Sequence, residues 1–414
     1  MPDFGKFNKN KTSKFSVIIN LMVKRVAIYD PYLDTLGGGE RYCLTVAEIL
    51  LKHGYKVDLF WSGDQTLIEK ATKRFSLNLD GLNLVEDIFQ IKPKQIDFLE
   101  EEQNLTQFVN HSLNPQKIRQ KITGLINKFK TTREYDVLFY LGDGSVPLVF
   151  AKQNILHIQV PFSNNKKILN KIINNSKLFL FSKIVCNSQF TAKFYQNGLS
   201  SKISVLYPPV DVDKFEPEDD PKNIILSVGR FDNILNAKKQ DILIDAFKKL
   251  FEEEKIAGWR LVLAGGSLSK PNENSYLKYL KEKAAGLPID FIINPSFTEL
   301  KDIYSKSKIY WHAAGYGVDE NIHPENTEHF GMTVVEAMAS GLVPVVISKG
   351  GIPEIISDGI DGYLWTTIDE LVLKTKSLIE SAEDLKRMSK KATIKCQNFS
   401  KDNFEKELLN LIKK

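Results

Sequence analysis

The chain has 414 residues, 43% of them hydrophobic and 26% charged, with a net charge of +5. That length exceeds one ordinary core and points to two domains, and the mild basic balance sets nucleic acid aside as the leading partner. Acidic ligands and anionic membrane surfaces stay in play, while Cys43, Cys186 and Cys396 are too few and too scattered for a disulfide framework or a metal knuckle, as suits a reducing cytoplasm.

Taken from the start, no apolar run is long enough to cross a bilayer. The run over 15–23 is too short, and no cleavage site follows it. Met22 reads like a natural start because a strand follows almost at once, so 1–21 are expected to be an extension or a disordered tail. Strands are predicted over 24–29, 56–61, 135–140, 154–159, 184–187 and 203–206, with helices between them and a glycine loop, Gly37-Gly38-Gly39, after the first strand. The stretch 82–133 is harder to read and is expected to carry helices. Proline and acid then accumulate over 207–221, which reads as a linker.

The alternation restarts after it. Strands are predicted over 223–228, 260–263, 290–293, 309–312 and 343–347, and helices over 240–252, 299–305 and 333–340, the last stopped by Gly341. Gly350-Gly351 leads into a short helix with Pro353 in its first turn, and the tail from 368 is mostly helical. The expected architecture is α/β: two Rossmann-like doubly wound domains facing each other across a cleft, over 22–206 and 222–394. A C-terminal helix over 395–414 could return to the first domain. Ligands in such sheets sit at the carboxyl ends of the strands, where every glycine-rich turn falls.

The densest chemistry lies in Glu328-His329-Phe330-Gly331-Met332-Thr333-Val334-Val335-Glu336. A loop becomes a helix here, and the small residues Gly331 and Thr333 leave the first helix amides open as an anion site. Two carboxylates beside a phosphate pocket would repel the phosphate, so they suit a ligand with hydroxyls next to its phosphates, such as a nucleotide sugar. Gly229 and Arg230 end a strand and Lys238 follows eight residues later. Arginine forks onto phosphate oxygens and lysine adds a point charge, although this pair alone favours a solvated strand end followed by a basic helix start.

Gly37, Gly38 and Gly39 let backbone approach a ligand, or form a plain turn. They do not follow the dinucleotide fingerprint, and no acidic partner stands about twenty residues on, which disfavours a nicotinamide cofactor. His157 and Gln159 share one side of a strand and are either polar site contacts or packed core. Asp211-Val212-Asp213 looks like a metal motif but follows two prolines and reads as turn chemistry, so no metal is expected. The basic run over 166–173 suits either an anionic membrane surface or a solvated helix with a buried stripe.

With these residues in view, the chain resembles glycosyltransferase family 4, retaining enzymes of GT-B fold. The match is densest from Glu328 through Glu336, Ala337-Met338-Ala339, Gly341, Pro344-Val345-Val346, Gly350-Gly351, Glu354-Ile355, Gly359 and Gly362. Gly37-Gly38-Gly39-Glu40-Arg41 and Tyr207-Pro208-Pro209-Val210-Asp211 are similar to the branch that includes the eukaryotic mannosyltransferase extending the dolichol-linked oligosaccharide core.

The resemblance implies that Arg230 and Lys238 hold the donor pyrophosphate, Glu336 the ribose hydroxyls, and Glu328 with the amides near Gly331–Thr333 the hexose. Gly229, Phe330 and Met332 belong to the same donor site. The Gly37–Gly39 loop falls near the phosphates and acceptor. The family often has a histidine before a proline near the reacting sugar. Here Gln159 has that distance to Pro161 and His157 lies two residues earlier, so both are carried as catalytic candidates beside Glu328, Arg230 and Lys238. The implied activity is retaining, metal-independent transfer of a hexose, mannose from GDP-mannose foremost, to a glycan or polyprenyl-linked acceptor, with no cofactor beyond the substrate. A UDP-sugar-dependent glucosyl- or N-acetylglucosaminyltransferase of the same fold, or a non-catalytic sugar-nucleotide-binding subunit, are the alternatives. The expected location is the cytoplasm, with peripheral contact at the inner membrane face left open.

Overall fold

The computed structural model describes residues 24–89, 115–142, 146–161, 177–195, 200–233, 237–254, 256–267 and 274–413. The extension over 1–21 and the basic run over 166–173 lie outside them.

The first sheet has seven parallel strands: β1 (Arg25–Tyr29), β2 (Lys56–Phe60), β3 (Asn83–Val85), β4 (Val137–Leu141), β5 (Gln153–Ile158), β6 (Lys183–Cys186) and β7 (Ile203–Val205), in spatial order β3-β2-β1-β4-β5-β6-β7. Ile28 sits in register with Leu59 on one side and Phe139 on the other. The second sheet has six: β8 (Ile224–Val228), β9 (Arg260–Gly265), β10 (Ile289–Ile293), β11 (Ile309–His312), β12 (Val343–Ile347) and β13 (Tyr363–Trp365), in order β10-β9-β8-β11-β12-β13. Both orders reverse direction once, beside β1 and beside β8. Those are the switch points where a doubly wound sheet opens a crevice.

The strands read as near-continuous apolar runs because helices cover both faces. Along β1, Val26 and Ile28 enter one core layer while Ala27 and Tyr29 enter the other. Along β11, Ile309 and Trp311 enter one layer of the second domain and Tyr310 the opposite one. The described helices are α1 (Gly38–Lys52), α2 (Leu67–Phe75), α3 (Pro115–Thr132), α4 (Gln189–Lys193), α5 (Gln240–Glu252), α6 (Ser275–Lys283), α7 (Phe297–Ser305), α8 (Met332–Ala339), α9 (Ile352–Ile355), α10 (Ile368–Glu380), α11 (Ala382–Lys395) and α12 (Lys401–Lys413). Ser188, Asn274, Ser296, Thr367 and Ser381 cap five of them, each side chain accepting an amide of the first turn. None of the described helices is long and apolar enough to cross a membrane. The three cysteines are free and buried.

The segment after β7 is not a loose tether. Val210, Val212 and Phe215 are buried in the second-domain core. Val210 also pairs in parallel with Ser400, its amide donating to the Phe399 carbonyl at 3.0 Å. The chain therefore crosses between the domains twice, and the two crossings lie side by side. After the second crossing, α12 places Phe404, Leu408 and Ile412 in the core of the first domain. Burying each such side chain contributes roughly 1.5–3 kcal/mol.

Candidate active site

The strand ends bring the site together. From the first domain, β1 leads into the glycine loop and α1, and β5 leads into Gln159. From the second, β8 ends at Gly229 and Arg230, β11 ends at His312, and the loop over 328–331 enters α8. Between them lies a cavity of about 150 Å³ lined by Gly38, Gly39, Gln159, Asn187, Glu328 and His329, among others. Known ligand pockets run about 300–1,000 Å³, so this cavity is smaller than most of them.

Glu328 is the centre of charge. Lys238 Nζ lies 2.6 Å from its Oε2, and His312 donates Nε2–H to the same oxygen at 3.2 Å. Burial opposes ionisation of Glu328, but the Lys238 ammonium and the His312 hydrogen bond outweigh it and hold the carboxyl well below its usual range. Burial in turn keeps His312 and His329 neutral, pushing both rings down. Lys238 reaches Glu328 by crossing Gly229, where a Cβ would stand 2.6 Å from Lys238 Cγ.

Gly331 starts α8 with φ of +113°, a left-handed conformation, and a Cβ there would stand 2.6 Å from Ile352 Cδ1. The first intrahelical bond runs from Val334 N to Gly331 O. The amides of Met332 and Thr333 precede it and are the orphan donors of this N-terminus. Phe330 is buried against Tyr207 and Phe399 and holds the loop to the core. Glu336 follows Met332 by four residues on the same face of α8. It is buried, with Tyr304 donating to Oε2 at 3.2 Å and Arg41 of α1 at 3.6 Å from Oε1. Arg230 stands about half exposed, with Nε 3.4 Å from Asp232, and does not line the cavity.

The glycine loop touches the second domain. A Cβ on Gly38 would come within 2.7 Å of Met332 Cε, and one on Gly39 within 2.6 Å of Gln159 Oε1. Gly37 donates its amide to the Glu40 carboxylate, which also takes the Thr35 hydroxyl. The loop thus packs against the flexible ends of Met332 and Gln159 rather than forming a bare turn.

His157 and Gln159 separate. His157 is fully buried, stacked on Tyr42 at 4.0 Å, with Nδ1–H donating to the Val185 carbonyl. Burial pushes its pKa down to about 3. Its Nε2 accepts from the Gln159 amide at 3.0 Å, and Gln159 lines the cavity. The catalytic candidacy of His157 is therefore corrected: it is a packed, neutral ring that orients Gln159, because the shared side of β5 faces α1 before it faces the cleft.

Asp211 forms a turn, with Lys214 N donating to its carbonyl at 3.0 Å. Its carboxylate takes Arg41 and Lys214, each at 3.0 Å. Glu354 of α9 accepts the amides of Gln189 and Phe190, both at 2.7 Å, and the Tyr207 hydroxyl at 3.1 Å, fastening the second domain to the start of α4 in the first. Sequence reasoning passed over His312, Tyr304, Arg41 and Glu354 as site residues. His312, the last residue of a predicted strand, carried the one signal that could have found it.

The second half of the chain matches a family model. Residues 211–395 fit the model described as glycosyl transferases group 1. The protein is a glycosyltransferase, and its second domain is of group 1. Over 447 aligned residues this glycosyltransferase is 25% identical to a GDP-Man:Man(3)GlcNAc(2)-PP-Dol alpha-1,2-mannosyltransferase of Dictyostelium discoideum, spanning 94% of this chain and 84% of the relative. The enzyme of the same name from Homo sapiens is 24% identical, with 94% and 86% covered. Among solved structures, a glycosyltransferase from Rickettsia africae superposes with a TM-score of 0.68 at 18% identity, covering 95% of this chain and 98% of the other. Anabaena Alr3699/HepE in complex with UDP-glucose superposes at 0.62 and 18% identity, covering 94% and 99%. These likenesses show the GT-B fold, and the resemblance read from the motifs is borne out.

Proposed function

We propose that this glycosyltransferase moves a hexose, mannose from GDP-mannose foremost, to a hydroxyl of a glycan or polyprenyl-linked acceptor, with retention at the anomeric carbon and without a metal ion. The observation that carries this reading is Glu328, which faces Gly38, Gly39 and Gln159 of the first domain across one cavity and is backed, at the strand ends of the second domain, by Lys238 and His312. The barrier is charge separation: the leaving diphosphate gains negative charge while the sugar becomes oxocarbenium-like. Lys238 and the Met332 and Thr333 amides would meet the diphosphate, taking the place of a divalent cation, and Arg230, half exposed outside the cavity, would have to swing in to join them. Glu336 would hold the ribose hydroxyls, and Glu328 the hexose.

No carboxylate is placed as a nucleophile in this reading. The acceptor attacks the face the diphosphate leaves, and a diphosphate oxygen takes its proton. Losing one preorganised donor of this kind typically costs about 2.7–4 kcal/mol in the barrier. Mannose and guanine are supported by the names of the full-length relatives. The loop from Asn294 to Phe297, at the end of β10, is where the base would lie.

The test is to incubate the protein with a panel of nucleotide sugars and an acceptor carrying a polyprenyl diphosphate glycan, and to measure the free nucleotide released. GDP from GDP-mannose, retained in the presence of a chelator, is the expected result. Release of UDP alone moves the donor to the UDP-sugars. Loss with chelator and rescue by a divalent ion overturns metal independence. No release with any donor sinks the catalytic reading.

A further inference from the structure

We infer that Arg41 is a positioning residue for the donor, delivered across the cleft by the first domain to hold the Glu336 carboxylate charged and aimed at the ribose hydroxyls. This rests on the reading of Glu336 as the ribose-binding residue.

Arg41 stands in the first turn of α1, two residues after Gly39, the second of the glycines that line the cavity. Its guanidinium joins three parts of the molecule: α1 itself, Asp211 of the crossing segment at 3.0 Å, and Glu336 of α8 at 3.6 Å. All three side chains are at most 17% exposed, so the pairing is poorly screened. The charged and titratable groups facing Glu336 are Arg41 from α1, Asp211 from the crossing segment, Tyr304 from α7 and Tyr310 from β11. Arg41 is the sole cation in that set, and Asp211 repels. Burial raises the Glu336 carboxyl and Arg41 is the main opposing influence.

A carboxylate has about four lone-pair positions, so with Arg41 on Oε1 and Tyr304 on Oε2 each oxygen keeps a second one for a hydroxyl. Protonated, the same group loses acceptor capacity and presents its own hydrogen to the ligand. Donor grip in the second domain thus depends on a residue of the first, and that dependence exists only with the cleft closed enough for α1 to reach α8.

The test measures binding of GDP, UDP and their 2′,3′-dideoxy forms by calorimetry from pH 5.5 to 8.5, in wild type, Arg41→Ala, Arg41→Lys, Glu336→Gln and the Arg41→Ala/Glu336→Gln double variant. For the nucleotide that wild type binds more tightly, Arg41→Ala should weaken affinity about tenfold at pH 5.5, the scale of one charge-assisted hydrogen bond. The deficit should shrink toward pH 8.5 as Glu336 ionises unaided. Arg41→Lys should restore most of the affinity, the dideoxy probe should be insensitive to Arg41→Ala, and the double variant should match Glu336→Gln alone. A loss equal at every pH, an equal loss with the dideoxy probe, or additive losses in the double variant would each overturn the inference. If Glu336→Gln itself binds like wild type, the ribose reading of Glu336 is what has failed.

Discussion

Lys238 and Glu328, ninety residues apart in the chain, form a 2.6 Å ion pair with both side chains largely enclosed. Glu328 is thereby depressed, and a depressed carboxyl adds stability above its unfolded value, 4.5, that is lost as pH falls through the folded value. Lys238→Met removes the partner and leaves an enclosed carboxylate, so it should lower both turnover and melting temperature at neutral pH. Removing one partner of a buried pair costs about 3–5 kcal/mol, an upper bound for this partly open site. The loss of melting temperature should narrow as pH falls below 4.5. A deficit that stays constant from pH 5 to pH 3 would show that Lys238 does not act through Glu328.

Gln159 and His157 make opposite predictions. Gln159→Ala removes a cavity-lining group and should cut kcat by at least about tenfold, with the melting temperature nearly unchanged. His157 is neutral throughout pH 5–8 because its pKa lies near 3, so the rate–pH profile over that range should carry no limb from it. His157→Phe should lose stability through the Val185 and Gln159 hydrogen bonds, with any loss of rate tracking disorder of Gln159. A limb near pH 6.5 that disappears in His157→Phe would contradict this.

Asp30 ends in the interior behind the glycine loop, where burial first and Glu40 second push its pKa up to about 8 from 3.8. Between those values the folded chain holds a proton that the unfolded chain has lost, so stability declines as pH rises through the window and levels off above it. Asp30→Asn mimics the protonated acid and removes the slope. The variant should gain on wild type by roughly 1–3 kcal/mol between pH 5 and pH 8, read as diverging melting curves. Parallel curves would place the proton elsewhere, with Glu40 the first candidate.

Glu354 fastens the domains by accepting two amides of the opposite domain. Glu354→Ala leaves those donors without the carboxylate and should cost about 1–3 kcal/mol. It should also increase the radius of gyration in solution scattering as the cleft opens. An unchanged radius with an unchanged donor KM would mean that other contacts hold the domains.

The order of elements was largely legible because both sheets are parallel and buried, so each strand announces itself as an apolar run between helices. Helix 240–252 and strands 309–312 and 343–347 agree with the structure to the residue. The short edge strands β3 and β13 were missed, since three residues carry little pattern to separate them from loop, although β7, equally short, was read because Ile203 and Val205 alternate, with Leu206 next, before the prolines. In the site, Glu328, Gly331 and Glu336 were legible as a group because their spacing is local, and Lys238 only through its place shortly after the strand end at Gly229 and Arg230. Arg41 and Glu354 were not, because each acts across the cleft, and no periodicity within one domain encodes which residue of the other it will meet. The same limit blurred His157 and Gln159: alternation put them on one side of β5, and only the position of Tyr42 on α1 decides which of them is covered.

The return of α12 has a consequence for biogenesis. Phe404, Leu408 and Ile412 complete a core whose strands begin at Arg25, so the first domain cannot finish packing until α12 has left the ribosome. The second domain, whose elements are contiguous, can mature first, and the domain made earliest is sealed last.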